Sequence, residues 1–210
     1  SMKIVVVGSL NMDLVVRMPQ IPRPGETLLG GVFRTYPGGK GANQAVAAAR
    51  LGAHVTMIGC VGNDAFGREL LETLNKEGID TTHILVHPQS ATGVALIQVD
   101  SDGQNSIAVA SGANFELTAV DVERAMKSIG EFDVLVMPLE TPSETIYSAA
   151  RFASRCGAKV LLNPAPAQSL KPDLLALVDV LIPNEYEAAL MTGQSSLQSE
   201  ADLHTVAQKL

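Results

Sequence analysis

The residues best suited to chemistry lie in Pro37-Gly38-Gly39-Lys40-Gly41-Ala42-Asn43-Gln44-Ala45, where a glycine-rich turn runs into an alanine-rich segment ending at Leu51. That composition predicts a turn opening a helix, with glycines that let the backbone come close to a ligand. The first amides of such a helix are expected to point out unpaired, and the helix dipole favours negative or oxygen-rich groups beside them. Lys40 adds a cation and Asn43 both a donor and an acceptor, so a polyhydroxylated or anionic small molecule suits the segment. A Walker loop needs a glycine five residues before Gly39 and Ser or Thr after the lysine; Arg34 and Gly41 stand there instead. Taken alone, the segment is equally consistent with a helix start that carries a surface lysine.

Other candidate groups follow apolar runs. Asn11 and Asp13 come just after the run at 3–8. In extended backbone they project to the same side, although Asn and Asp also stabilise turns. Leu139-Glu140, Asn163-Pro164-Ala165-Pro166 and Pro183-Asn184-Glu185-Tyr186-Glu187 close three later runs. The carboxyl ends of parallel strands share one rim, where open α/β sheets bind ligands. Glu140, Asn184 and Glu187 are therefore expected near the cleft that holds Asn11, Asp13 and the Gly39 turn. Asn184 could equally cap a helix, and Glu187 suits a helix's first turn. It is their convergence on one rim that favours a site.

The elements that would position these residues alternate. The β-branched run at 3–8 predicts a strand buried on both faces. Further along come strand 55–61, helix 64–77 capped by Asn63 or Asp64 and stopped by Gly78, and helix 118–129, opening with Thr118-Ala119-Val120-Asp121. Strand 134–137, helix 143–155, strand 159–162, helix 173–178, strand 180–183, helix 185–192 and a helix from about residue 200 complete the pattern. This βα alternation predicts one α/β domain over residues 1–210, a Rossmann-like, doubly wound and mostly parallel sheet. Residues 14–36 and 92–110 break it. They read as short strands and turns, with Asp100-Ser101-Asp102-Gly103 as one turn, forming a small sheet over a pocket or an edge extension of the main sheet.

Composition narrows the function classes. Fifteen Lys and Arg against 22 Asp and Glu give a net charge of −7, with no basic run, which argues against nucleic-acid or anionic-membrane partners. No apolar stretch approaches membrane-spanning length, and no signal peptide is read. Cys60 and Cys156 are far apart and read as buried thiols of a reducing cytoplasm, and the four histidines lack metal-ligand spacing. A nicotinamide-dependent oxidoreductase fits the fold but not Gly8-Ser9-Leu10-Asn11-Met12-Asp13, which lacks the glycines needed after the first strand.

Several segments together resemble the ribokinase-like (PfkB) carbohydrate kinases. They are Asn11-Met12-Asp13, Pro24-Gly25-Glu26-Thr27, residues 38–45, Thr92-Gly93-Val94-Ala95, Gly112-Ala113-Asn114, Asn163-Pro164-Ala165-Pro166 and Asn184-Glu185-Tyr186-Glu187, in the family's order. The resemblance implies a Rossmann-like domain with a β-sheet lid that also forms a homodimer contact. By the same carry-over Asn11, Asp13, Gly39, Lys40, Asn43 and Glu140 would bind a sugar. Asn184 and Glu187 would organise ATP phosphates, with Glu187 acting on Mg2+ indirectly. The implied reaction is transfer of the γ-phosphoryl of ATP to the primary hydroxyl of D-ribose, in the cytoplasm, with K+ activation. Deoxyribose, another pentose or a nucleoside stay open as substrates. One departure matters. The family's general base is an Asp in a Gly-Ala-Gly-Asp segment, and no Gly-x-Gly-Asp occurs among these 210 residues. The resemblance places that Asp, the anion hole and most of the cation site beyond Leu210, so the chain is expected to be inactive alone or to be a sugar-binding or regulatory remnant.

Overall fold

A computed structural model describes residues 1–194, 197 and 199–210. The first half runs β1 (Lys3–Val7), β2 (Asn11–Arg17), β3 (Val32–Gly38), α1 (Lys40–Arg50), β4 (His54–Gly62), α2 (Ala65–Lys76) and β5 (Asp80–His87). Next come β6 (Gly93–Val99), β7 (Asn105–Ala110), a 3-10 turn (Gly112–Glu116), α3 (Ala119–Ile129), β8 (Val134–Met137) and α4 (Ser143–Arg155). The described chain finishes with β9 (Lys159–Leu162), α5 (Pro172–Leu175), β10 (Val180–Leu181), α6 (Glu185–Thr192) and α7 (Glu200–Lys209).

The main sheet is parallel, in the order β10-β9-β8-β1-β4-β5. Winding starts at β1 and proceeds outward in both directions, the Rossmann order, with its switch point between β1 and β8. The continuous apolar run of β1 follows from burial on both faces. Val5 and Val7 pack with Met126, Ile146, Ala149 and Ala153 of α3 and α4, whereas Val6 packs with Ala42, Ala45, Leu70 and Leu74 of α1 and α2. Helix starts are set by side chains: Asp64 accepts from Gly67 N at α2, and Thr118 with Asp121 forms a capping box at α3.

The second sheet, β3-β2-β6-β7, is separate from the first, so residues 92–110 do not extend the main sheet. β2 runs parallel to β6, and the outer pairs are antiparallel. This small sheet is drawn from residues 11–38 and 93–110, close to the segments expected at about 14–36 and 92–110. Asn11 and Asp13 belong to β2 itself, because Asn11 pairs with both Gly38 and Gly93. Phe33, Tyr36, Leu96, Ile107 and Val109 are exposed on the lid. β5 is an element the sequence pattern did not predict. It is an edge strand with a mixed burial pattern, so Thr81-Thr82-His83-Ile84 shows no clean apolar run. α5 and β10 are shorter than the expected 173–178 and 180–183. Among the described residues no helix is long and apolar enough to cross a membrane.

Candidate functional site

The site is built where β1 and β8 part. β1 leads into Gly8-Ser9 and β8 into Pro138-Leu139-Glu140, and the start of α1 lies across both. Ser9 Oγ donates a short hydrogen bond to Glu140 Oε2, and Gly41 N donates to Ser9 Oγ at 3.3 Å. Lys40 N donates to Glu140 Oε2 at 3.2 Å, and Ala42 N to Ser9 O at 2.9 Å. The expectation that the first amides of this helix are unpaired is therefore corrected. Three are engaged, and the anion at the positive end of the helix is the protein's own Glu140.

The glycines likewise serve an internal purpose. A Cβ on Gly41 would lie 2.5 Å from Ser9 N and 2.6 Å from Gly8 C, distances that real side chains do not tolerate. Gly39 has φ of 95°, and its Cβ position is 2.7 Å from both Asn11 N and Ser9 O. The motif thus lets helix α1 sit directly on the β1–β2 connection, which brings Glu140, Lys40 and Asn11 together.

β2 carries the other polar groups. Asn11 is buried, and Asn114 Nδ2 donates to its Oδ1 at 2.7 Å. Asp13, two residues on, lies on the same strand face, its carboxylate against Gly38, where a Cβ would come within 2.7 Å of Oδ2. Partial burial, and then the negative charge of Glu140, push the Asp13 carboxyl above the usual range. Asp13 and Glu140 are therefore near enough to feel one another, and together they offer acceptor oxygens to ligand hydroxyls. Lys40 is half-buried at the helix start. Asn43 is exposed and lines a groove with Pro37, Gly38, Val46, Leu70 and Thr73; among the described residues no hydrogen bond ties its side chain to Asn11, Asp13 or Glu140.

Asn184 and Glu187 lie at the same rim but farther out. β10 is two strands from β8, roughly 10 Å along the sheet. The two residues form a capping box: Asn184 Oδ1 accepts from Glu187 N and Glu187 Oε2 accepts from Asn184 N, both at 2.8 Å. Among the described residues no three His, Cys, Asp or Glu side chains gather as a metal cage. A magnesium ion that arrives with a nucleotide needs no such cage, since it keeps waters and phosphate oxygens as ligands. Sequence reasoning missed Ser9 and, as a site component, Asn114. Ser9 has no distinguishing neighbour, and the Gly112-Ala113-Asn114 segment marks a motif without showing what it touches.

An open Rossmann-order sheet, with carboxylates and amides gathered at its switch point beside a small second sheet, defines an α/β protein whose polar rim suits a small polar ligand. The chain belongs to the pfkB carbohydrate kinase family, whose model ("pfkB family carbohydrate kinase") matches residues 1–210. It is 47% identical over 205 residues to the ribokinase of Haemophilus influenzae, covering 95% of this chain and 67% of that protein. It is 41% identical over 193 residues to the deoxyribokinase of Salmonella typhimurium, covering 91% of this chain and 63% of that protein. Among solved structures, Arabidopsis thaliana ribokinase complexed with ribose and ATP superposes with a TM-score of 0.87 at 28% identity, over 100% of this chain and 68% of that one. The chain spans about two thirds of the length of these relatives.

Proposed function

We propose that this chain forms the sugar-binding part of a kinase that transfers the γ-phosphoryl of ATP to O5 of D-ribose. The observation that carries the reading is the placement of two carboxylates on the turn that opens α1, Asp13 against Gly38 and Glu140 on the amide of Lys40. Two carboxylates facing one cleft accept hydrogen bonds from adjacent hydroxyls. A ligand without those hydroxyls leaves the oxygens unmatched, and specificity follows. In this reading Asn11, Asp13, Gly39, Lys40, Asn43 and Glu140 hold the sugar, Asn43 reaching it from the next helical turn. Asn184 and Glu187 lie beneath the ATP phosphates, and Glu187 acts on the accompanying magnesium only indirectly. Phosphoryl transfer asks the protein for positioning and charge stabilisation, and these residues supply positioning. None of them is assigned as the general base, so sugar binding without turnover is proposed for the 210 residues alone.

A cytoplasmic location and a homodimer through the exposed lid residues Phe33, Tyr36, Leu96, Ile107 and Val109 belong to the same proposal. The identity to a deoxyribokinase, close to that for ribokinases, favours 2-deoxy-D-ribose as a second substrate. Calorimetric titration of the chain with D-ribose, 2-deoxy-D-ribose, other pentoses and adenosine tests the reading. A parallel assay measures ADP release in ATP, magnesium and potassium. Heat with D-ribose, weaker heat with 2-deoxy-D-ribose, and no ADP is the expected result. Absence of binding to every pentose refutes the sugar assignment, and ADP release refutes the need for a further base.

A further inference from the structure

Asn114 is almost fully buried in the 3-10 turn, and it ties that turn to Leu10 and Asn11. Its Oδ1 accepts from the backbone N–H of Leu10 at 2.9 Å. Its Nδ2 faces oxygens only: Asn11 Oδ1 at 2.7 Å, Ser111 O at 3.0 Å and Leu10 O at 3.2 Å. A backbone N–H cannot become an acceptor and a carbonyl cannot become a donor. The orientation of the Asn114 amide is thereby fixed from both ends. The atom of Asn11 that meets it must be an oxygen, which turns the Asn11 Nδ2 the other way, and that nitrogen makes no hydrogen bond to any described residue. Gly93 leaves the room for this arrangement, since a Cβ there would lie 2.2 Å from Asn11 Oδ1 and 2.3 Å from Asn114 Nδ2.

We propose that Asn114 is a positioning residue that locks Asn11 with its NH2 toward the ligand, so that the site offers one fixed donor beside the acceptor carboxylates of Asp13 and Glu140. The proposal rests on the sugar-site reading above and specifies its polarity. The ligand atom at Asn11 must accept a hydrogen bond, as a hydroxyl or ring oxygen does. A hydroxyl can accept from Asn11 while donating to a carboxylate, whereas a protonated amine at that point meets a donor and is rejected. Asn114 touches no ligand and acts only through Asn11.

A double-mutant cycle on D-ribose binding tests this, with Asn114→Ser and Asn11→Ala made singly and together and read by titration calorimetry. With Asn11 present, Asn114→Ser is expected to weaken binding about tenfold, the effect of one well-placed hydrogen bond. With Asn11→Ala already in place, the further loss is expected to be under about twofold. Equal losses in both backgrounds overturn the proposal and leave the sugar reading standing. No ribose binding by the unaltered chain overturns the sugar reading and the proposal with it. Gly93→Ala, which intrudes on the same amide pair, is run through the same cycle. If a thermal melt shows Asn114→Ser unfolded, the Gly93→Ala cycle decides by the same criterion.

Discussion

Replacing Gly41 by Ala sets two physical effects of opposite sign against each other. Gly41 is the second residue of α1, and by helix propensity alone Ala there is worth up to about 1 kcal/mol. The structure demands the reverse. The new Cβ would meet Ser9 N, Gly8 C and Gly8 Cα at 2.5, 2.6 and 2.7 Å, all backbone atoms that cannot rotate away. The helix start must retreat, lengthening three hydrogen bonds, from Lys40 N to Glu140, Gly41 N to Ser9 Oγ and Ala42 N to Ser9 O. At roughly 1 kcal/mol for each bond, partly retained, and about 1–3 kcal/mol for overpacking, the net loss is roughly 2–4 kcal/mol. Urea unfolding followed by far-UV circular dichroism measures it. With a slope of about 2–3 kcal/mol/M the midpoint falls by roughly 1 M. An unchanged or raised midpoint would show that α1 does not rest on the β1–β2 connection, and the account of the site would fall with it.

Two ionisable groups give further tests. Burial opposes the Asp64 charge, but hydrogen bonds from the Thr92 hydroxyl, Thr92 N and Gly67 N, with the charge of Arg68, outweigh it and hold the carboxyl below its usual range. Its stabilisation is full above the ordinary Asp value near 4 and is lost as pH falls through the depressed folded value. Asp64→Asn is expected to cost about 1–3 kcal/mol at pH 7. The gap between the two chains should narrow as pH falls below the ordinary Asp value and close below the depressed folded one, and a gap constant with pH would contradict this. Asp13 has the opposite sign: its raised carboxyl value means that the charged form is disfavoured on folding, a cost present at neutral pH and relieved by protonation. Asp13→Asn should raise the melting temperature by about 1–2 °C at pH 7 while weakening sugar binding, and a lowered melting temperature would refute the cost assigned to the partly buried charge beside Glu140.

The scaffold was legible in the sequence where burial forces a pattern. β1 shows a continuous β-branched run because helices cover both its faces, and α3 announces itself through Thr118 and Asp121. β5 was not legible, since an edge strand with Thr81, Thr82 and His83 has no obligation to alternate. At the site, Asn11, Asp13 and Glu140 could be placed on one rim from the order of strands. The role of Gly39 and Gly41 could not, because a glycine that meets a ligand and one that meets its own chain look alike in sequence. Nor could Asn114, 103 positions from Asn11, whose contact exists only once the lid and the 3-10 turn have folded together. Polarity of that kind is set by backbone groups, which a string of side chains does not show.

Because Glu140 accepts from Lys40 N and Ser9 takes the next two amides, the start of α1 is already engaged before any ligand arrives. An incoming anion finds neither a free positive end nor unmatched N–H groups there, and it approaches two carboxylates, of which Asp13 is already disfavoured as a charge by burial and then by Glu140. An uncharged polyol loses nothing by this, since it trades water for carboxylate oxygens at constant charge. In the sugar reading, adding a phosphate converts a tolerated occupant into a repelled one. On that reading the carboxylates that suit an uncharged sugar disfavour its phosphate, and a sugar phosphate taken up from solution competes poorly for the cleft.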